Sequence, residues 1–150
     1  MSLRDEYKFH PISRWINQHR DLQRGFSCTD IDLFFENHIR GYCMHMEFKH
    51  WNETASAAQR ANIMMIADVW SKAEPVRHYR NAGLDYSCHM DYRGYYAINM
   101  FREEIDNDDP IRITWVGGYD AQPVTNNHEE GAAEVLLSLC LGKYNDEYLQ

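Results

Sequence analysis

No run of 18 or more apolar residues occurs in the chain, so a helical membrane span is not expected. The first residues, Met1-Ser2-Leu3-Arg4-Asp5-Glu6, are charged and carry no apolar core, so no signal peptide is expected. Cysteine is scarce: Cys28, Cys43, Cys88 and Cys140 form no C-x-x-C pair. That spacing argues against a zinc knuckle and for reduced thiols in a cytoplasmic protein. There is no repeat, low-complexity tract or Gly/Ser linker, so residues 1–150 read as one domain. No His-x-x-x-His, Walker loop or G-x-S-x-G is present. Basic residues are also few, with 15 Lys and Arg against 23 Asp and Glu, for a net charge of −8. A protein that grips nucleic acid mainly through its own phosphate contacts is usually basic. Any such task here would need bound cations, a local basic face or a partner to offset the repulsion.

Apolar side chains are plentiful, at 44 % of the chain with 13 % aromatic, enough to build a core. A first helix fits residues 11–23. Pro11 suits the first helical position, Gly25 lies just past the end, and Ile12, Trp15, Ile16, His19 and Leu22 share a face. Residues 29–36 and 42–49 alternate as strands about a hairpin loop, Asn37-His38-Ile39-Arg40-Gly41. A second helix fits residues 54–72, with Ala58, Ala61, Met65, Ile66 and Val69 as its buried stripe and Glu74-Pro75 as its stop. Residues 76–92 carry no readable period. Residues 95–102 and 111–116 form another strand pair about the turn Asn107-Asp108-Asp109-Pro110, closed by Gly117-Gly118. A third helix fits residues 128–141. Asn127 caps it, Glu130 completes a capping box, and Leu136, Leu137, Cys140 and Leu141 pack deeply. Helix, hairpin, helix, hairpin, helix predicts an α/β sandwich around a mixed central sheet flanked by helices.

The chemistry concentrates in residues 29–49. Asp30 and Asp32 share one strand face, opposite Ile31, Leu33 and Phe35. On the next strand Cys43, His45, Glu47 and Lys49 face one way, and Tyr42, Met44, Met46 and Phe48 the other. If Asn37 pairs with Tyr42, Asp32 stands opposite Glu47 and Asp30 opposite Lys49, within about 5.5 Å at Cβ. A slip of one residue would part them. The plainer reading is a solvated strand face, but Asp is a poor strand residue and occurs twice on this one. Two carboxylates so placed make a hard-oxygen site for Mg²⁺ (or Mn²⁺), with the main-chain carbonyl of Phe48 as a further ligand. Lys49 points to the same place, where an ammonium group orients attacking water and offsets charge on a phosphate.

These residues, Asp32 closing Asp30-Ile31-Asp32 and then Glu47-Phe48-Lys49, resemble the motif of the PD-(D/E)XK nuclease superfamily, the restriction-endonuclease-like fold, in its phage-associated and prokaryotic members. The motif spans residues 29–49, and the order of elements matches over residues 11–72. Cys28-Thr29 stand where the family carries its proline. The resemblance implies an αβββαβ core and a metal-dependent endonuclease acting on nucleic acid, DNA above all, in a prokaryotic or phage-infected cell. Asp32, Glu47 and Lys49 would be catalytic, and Asp32, Glu47 and Phe48 would hold the metal. Gln59 lies where some relatives place a helper glutamine, and Asp30 and His45 are further accessory candidates. His45 would touch substrate or metal, or simply fill the wall of the site.

Tyr86, Tyr92, Tyr95 and Tyr96 are interleaved with Arg77, Arg80 and Arg93, a composition that can stack bases and hold phosphates. Arg93 and Tyr95 are the nucleic-acid contacts expected there. Arg14, Arg20 and Arg24 make a second candidate patch. A non-catalytic nucleic-acid-binding or assembly module that keeps the nuclease fold is the competing reading, favoured by the acidic charge. A homodimer or protein partner would offset that charge. A third class is an unrelated α/β enzyme acting on a small phosphorylated substrate.

Overall fold

The computed structural model of the chain describes residues 33–37, 40–81, 83–102 and 104–149. The helix expected at 11–23, and with it Arg24, Asp30 and Asp32, lies outside the described residues. In chain order the elements are β1 (Leu33–Asn37), β2 (Tyr42–His50), α1 (Ala57–Ala73), β3 (Val76–Asn81), β4 (Leu84–His89), β5 (Asp91–Met100), β6 (Ile111–Val116), β7 (Val124–His128), α2 (Ala132–Cys140) and α3 (Tyr144–Tyr148). The chain is mixed α/β. A five-stranded sheet runs in the order β1-β2-β5-β6-β7, and β3 and β4 form a separate pair.

The first hairpin has the expected register, from Asn37↔Tyr42 to Leu33↔Met46. Gly41, at φ +70°, makes its turn, and its N–H donates to the Asn37 carbonyl at 2.8 Å. β2 and β5 are parallel neighbours, whereas β5–β6 and β6–β7 are antiparallel. A parallel pair needs a long crossover, and α1 lies in that connection. Ser56 caps α1: its hydroxyl accepts from the Gln59 N–H, and the Gln59 side chain accepts from the Ser56 N–H.

Strand alternation splits the core between two faces. On one, Tyr42, Met44 and Met46 of β2 meet Tyr96, Ile98, Met100, Ile111 and Ile113, and Ala132, Val135 and Leu139 of α2 cover them with Tyr144 of α3. On the other, Tyr95 and Val116 pack against Ile63 and Ala67 of α1. Between Cys43 and His45 the β2–β5 register shifts: Cys43 pairs with Tyr92 but His45 with Tyr95. The extra β5 residue makes a bulge at Arg93-Gly94, and Gly94 takes φ +126°. The bulge lets Tyr92 and Tyr95, three residues apart, reach the same face.

Several expectations are corrected. α1 buries Ile63 and Ala67, while Met65 and Val69 are exposed. The helix is apolar on two adjoining stripes that share Ile66, so period alone did not select the buried one. Residues 76–92 are ordered as the β3–β4 hairpin and the start of β5. Their side chains do not alternate because the described ones from 76 to 89 are exposed on both faces. Asn127 does not cap a helix. It belongs to β7, and α2 starts later, after Gly131 in the left-handed region. In α2 the buried residues are Ala132, Val135, Ser138 and Leu139, and Leu137 is 58 % exposed.

Candidate functional site

Glu47 and Lys49 are two residues apart on β2, so they share a face. It is the face that α1 covers farther along, where His45 meets Trp70 edge-on. Both are 5 % exposed, and Lys49 Nζ stands 3.6 Å from Glu47 Oε1. Taking such ions out of water costs several kcal/mol each. A separation of 3.6 Å is longer than the roughly 2.7–2.9 Å of a strong charge-assisted hydrogen bond. A carboxylate and an ammonium group buried together on a covered strand face mark a candidate site.

The sheet extends this polar spot sideways. Lys49 pairs with Asn99 of β5, Asn99 with Arg112 of β6, and Arg112 with Asn127 of β7. Directly paired residues project to the same side, so these four form a polar row across four strands. Asn99 is buried, and its Nδ2 donates to the carbonyls of His50 at 2.8 Å and Glu53 at 2.9 Å. It thereby pins the turn that follows Lys49. Arg112 Nε donates to Asn127 Oδ1 at 2.6 Å, and Nη1 donates to the Trp51 carbonyl at 3.2 Å. No carboxylate partners Arg112 among the described residues.

On the other side of Glu47 an aromatic wall closes the face. His45 stacks on Tyr95 with ring centres 5.6 Å apart and lies 5.0 Å from Phe34. Its Nδ1 is 2.7 Å from the Tyr92 hydroxyl. Burial holds the imidazole at a pKa of about 4, so it is neutral near pH 7. Burial likewise pushes the Cys43 thiol up to about 11, helped by Glu36 and Asp91, and raises the Tyr92 hydroxyl strongly. None of these groups is an activated nucleophile. A cleft of about 70 Å³ beyond them is lined by Phe34, Cys43, Trp70, Val76 and Met90, and Glu36 and Arg77 pair across it at 2.8 Å.

Among the residues named from sequence, Glu47 and Lys49 come together and His45 joins them on one face as a packed core histidine. The Phe48 side chain packs into the opposite core. Gln59 is engaged in the α1 cap. Asp30, Asp32 and Arg24 lie outside the described residues. Tyr95, at 1 % exposure, is a core ring and does not present a surface to nucleic acid. Arg93 forms an ion pair with Asp91, Nε to Oδ2 at 3.1 Å, and lies 5.4 Å from the centre of the Tyr42 ring, while its carbonyl accepts from Trp115 and Asn145. Those contacts give it a packing role at the bulge. Asn99, Arg112 and Trp51 escaped the sequence reading because the strand order that unites them is set by a crossover.

Among the described residues no group of three or more His, Cys, Asp or Glu side chains could hold a metal ion. No helix among them is long and apolar enough to cross a membrane. The chain matches no family model, no curated protein and no solved structure.

Proposed function

We propose that the protein is a metal-dependent nuclease that hydrolyses phosphodiester bonds, of DNA above all, with its centre at Glu47 and Lys49. The observation that carries this reading is the burial of Glu47 and Lys49 together, side by side on the strand that leads into the crossover helix. Two further features support it. The β1–β2 ladder runs to Leu33↔Met46, so one more step in the same register would set Asp32 against Glu47. The order β1, β2, α1, β5, with the separate β3–β4 pair inserted before β5 and β5 parallel to β2, also fits the latter part of a restriction-endonuclease-like αβββαβ core.

The donor set suits Mg²⁺ or Mn²⁺, which needs only one or two protein carboxylates and completes its shell with water and substrate phosphate. Glu47 and Asp32 would hold it, with the Phe48 carbonyl as a third ligand. When bound, the ion would lower the pKa of a water and offset phosphate charge. Lys49, held beside Glu47, would orient the attacking water and stabilise negative charge as the bond breaks. Neutral His45 would wall off solvent without adding a competing cation. Asn99 would fix the turn at the end of this strand.

The direct test is incubation of purified protein with single- and double-stranded DNA in Mg²⁺ and in Mn²⁺. Cleavage that stops in chelator, and falls at least about 100-fold in Lys49→Ala with folding retained, is the expected result. Intact DNA in every cation would count against the reading and leave the binding-module alternative, which the charge of −8 favours.

A further inference from the structure

The β2–β5 register His50↔Met100 makes the residues after these two parallel strands leave the sheet side by side. They are Trp51 and Phe101, whose rings meet edge to face at 6.3 Å between centres. Phe101 is 55 % exposed. The Arg112 guanidinium lies over the Trp51 ring, 4.6 Å from its centre, and Arg102 lies 5.6 Å from the centre of Phe101. The two cations differ. Arg102 is bound by the Asp109 carboxylate at 2.9 Å. Among the described residues Arg112 bonds only the neutral acceptors of Asn127 and Trp51. Guanidinium carries five N–H donors, so its charge and its remaining donors stay available. Among the described residues it is a cation with no carboxylate partner, on a chain of net charge −8.

Solvent-exposed aromatic surface normally costs free energy, and an exposed ring next to a fixed guanidinium is the pairing that holds unstacked bases and their phosphates. Duplex bases are already stacked and would leave such a ring unused. Arg112 is two strands from Lys49 across the sheet, about 10 Å at ordinary strand spacing. A strand bound at Arg112 would therefore pass close to the Glu47–Lys49 centre.

We propose that Trp51, Phe101 and Arg112 form a platform for a single-stranded stretch of nucleic acid beside the Glu47–Lys49 centre. Phe101 stacks a base, Arg112 holds a phosphate, and Trp51 fixes the guanidinium plane. The choice of ligand rests on the nuclease reading, and binding can be measured apart from cleavage.

The experiment is fluorescence anisotropy of a short labelled deoxyoligonucleotide of mixed sequence, single-stranded and as a duplex, with Ca²⁺ in place of Mg²⁺. Wild type, Phe101→Ala, Phe101→Tyr and Arg112→Gln are compared, with folding checked by circular dichroism. Phe101→Ala is expected to weaken single-strand binding about fivefold or more, and Phe101→Tyr to restore it. Arg112→Gln is expected to flatten the slope of log affinity against log salt by about 0.7. Folded variants that bind the single strand as wild type does, or a wild type that binds only duplex, would overturn the platform while leaving cleavage by wild type to stand. A wild type that neither binds nor cleaves would overturn both.

Discussion

At the scale of the residue, the molecule's least ordinary investment is a carboxylate and an ammonium group placed together on a covered strand face. Breaking a buried ion pair by removing one partner typically costs about 3–5 kcal/mol, whereas replacing both partners with neutral groups of similar size is often nearly neutral. Lys49→Met and Glu47→Gln are each expected to lower stability, and the double variant to recover a large part of the summed loss. Urea unfolding of the four proteins gives the coupling. Simple additivity would show that the two side chains do not sense each other. Glu47 and Lys49 were legible in the sequence because strand alternation alone puts residues two apart on one face. Asn99 and Arg112 were not, because their neighbourhood depends on a parallel pairing of residues some 50 positions apart.

At the scale of the element, the β5 bulge sets how the aromatic wall meets the sheet. A Cβ on Gly94 would lie 2.3 Å from Trp115 Nε1, an indole whose N–H donates to the Arg93 carbonyl at 2.8 Å. The backbone there, at φ +126°, is also strained for any L side chain. Gly94→Ala is therefore expected to cost about 2 kcal/mol or more, read as a lower denaturant midpoint. An unchanged midpoint would mean that the bulge is not a fixed feature. The β3–β4 hairpin is the opposite case. Its described side chains are exposed on both faces, and a lone two-stranded hairpin is marginally stable. Its base is already closed by the Met90 N–H donating to the Pro75 carbonyl at 2.8 Å, and its Arg77–Glu36 pair is a partly exposed one of small worth. Replacing residues 76–89 with a short turn should shift the melting temperature by less than about 4 °C. A larger fall would place part of the core's stability in the hairpin. The same exposure explains why these residues gave no sequence signal, since a ribbon wet on both sides needs no alternation. The first hairpin was readable to its register because its strand side chains alternate about a short loop from Asn37 to Gly41 that fixes the pairing. Asn127 misled because an Asn followed three residues later by Glu reads as a helix start, while the strand pairing Asn127 with Arg112 is a tertiary fact.

At the scale of the whole molecule, the class and the mixed sheet flanked by helices followed from the order of periodic segments. The strand order followed only from the structure. An acidic chain that handles nucleic acid must gather its favourable charge locally, and Lys49 and Arg112 lie on one row of the sheet, joined through Asn99. Glu47 is proposed to help hold a divalent cation there. That role is tested most directly by anomalous diffraction from crystals soaked in Mn²⁺, for wild type and Glu47→Gln. A peak within coordination distance of the Glu47 carboxylate and the Asp32 side chain, absent in the variant, is the expected result. A wild-type map at full Mn²⁺ with no peak beside Glu47 would contradict it.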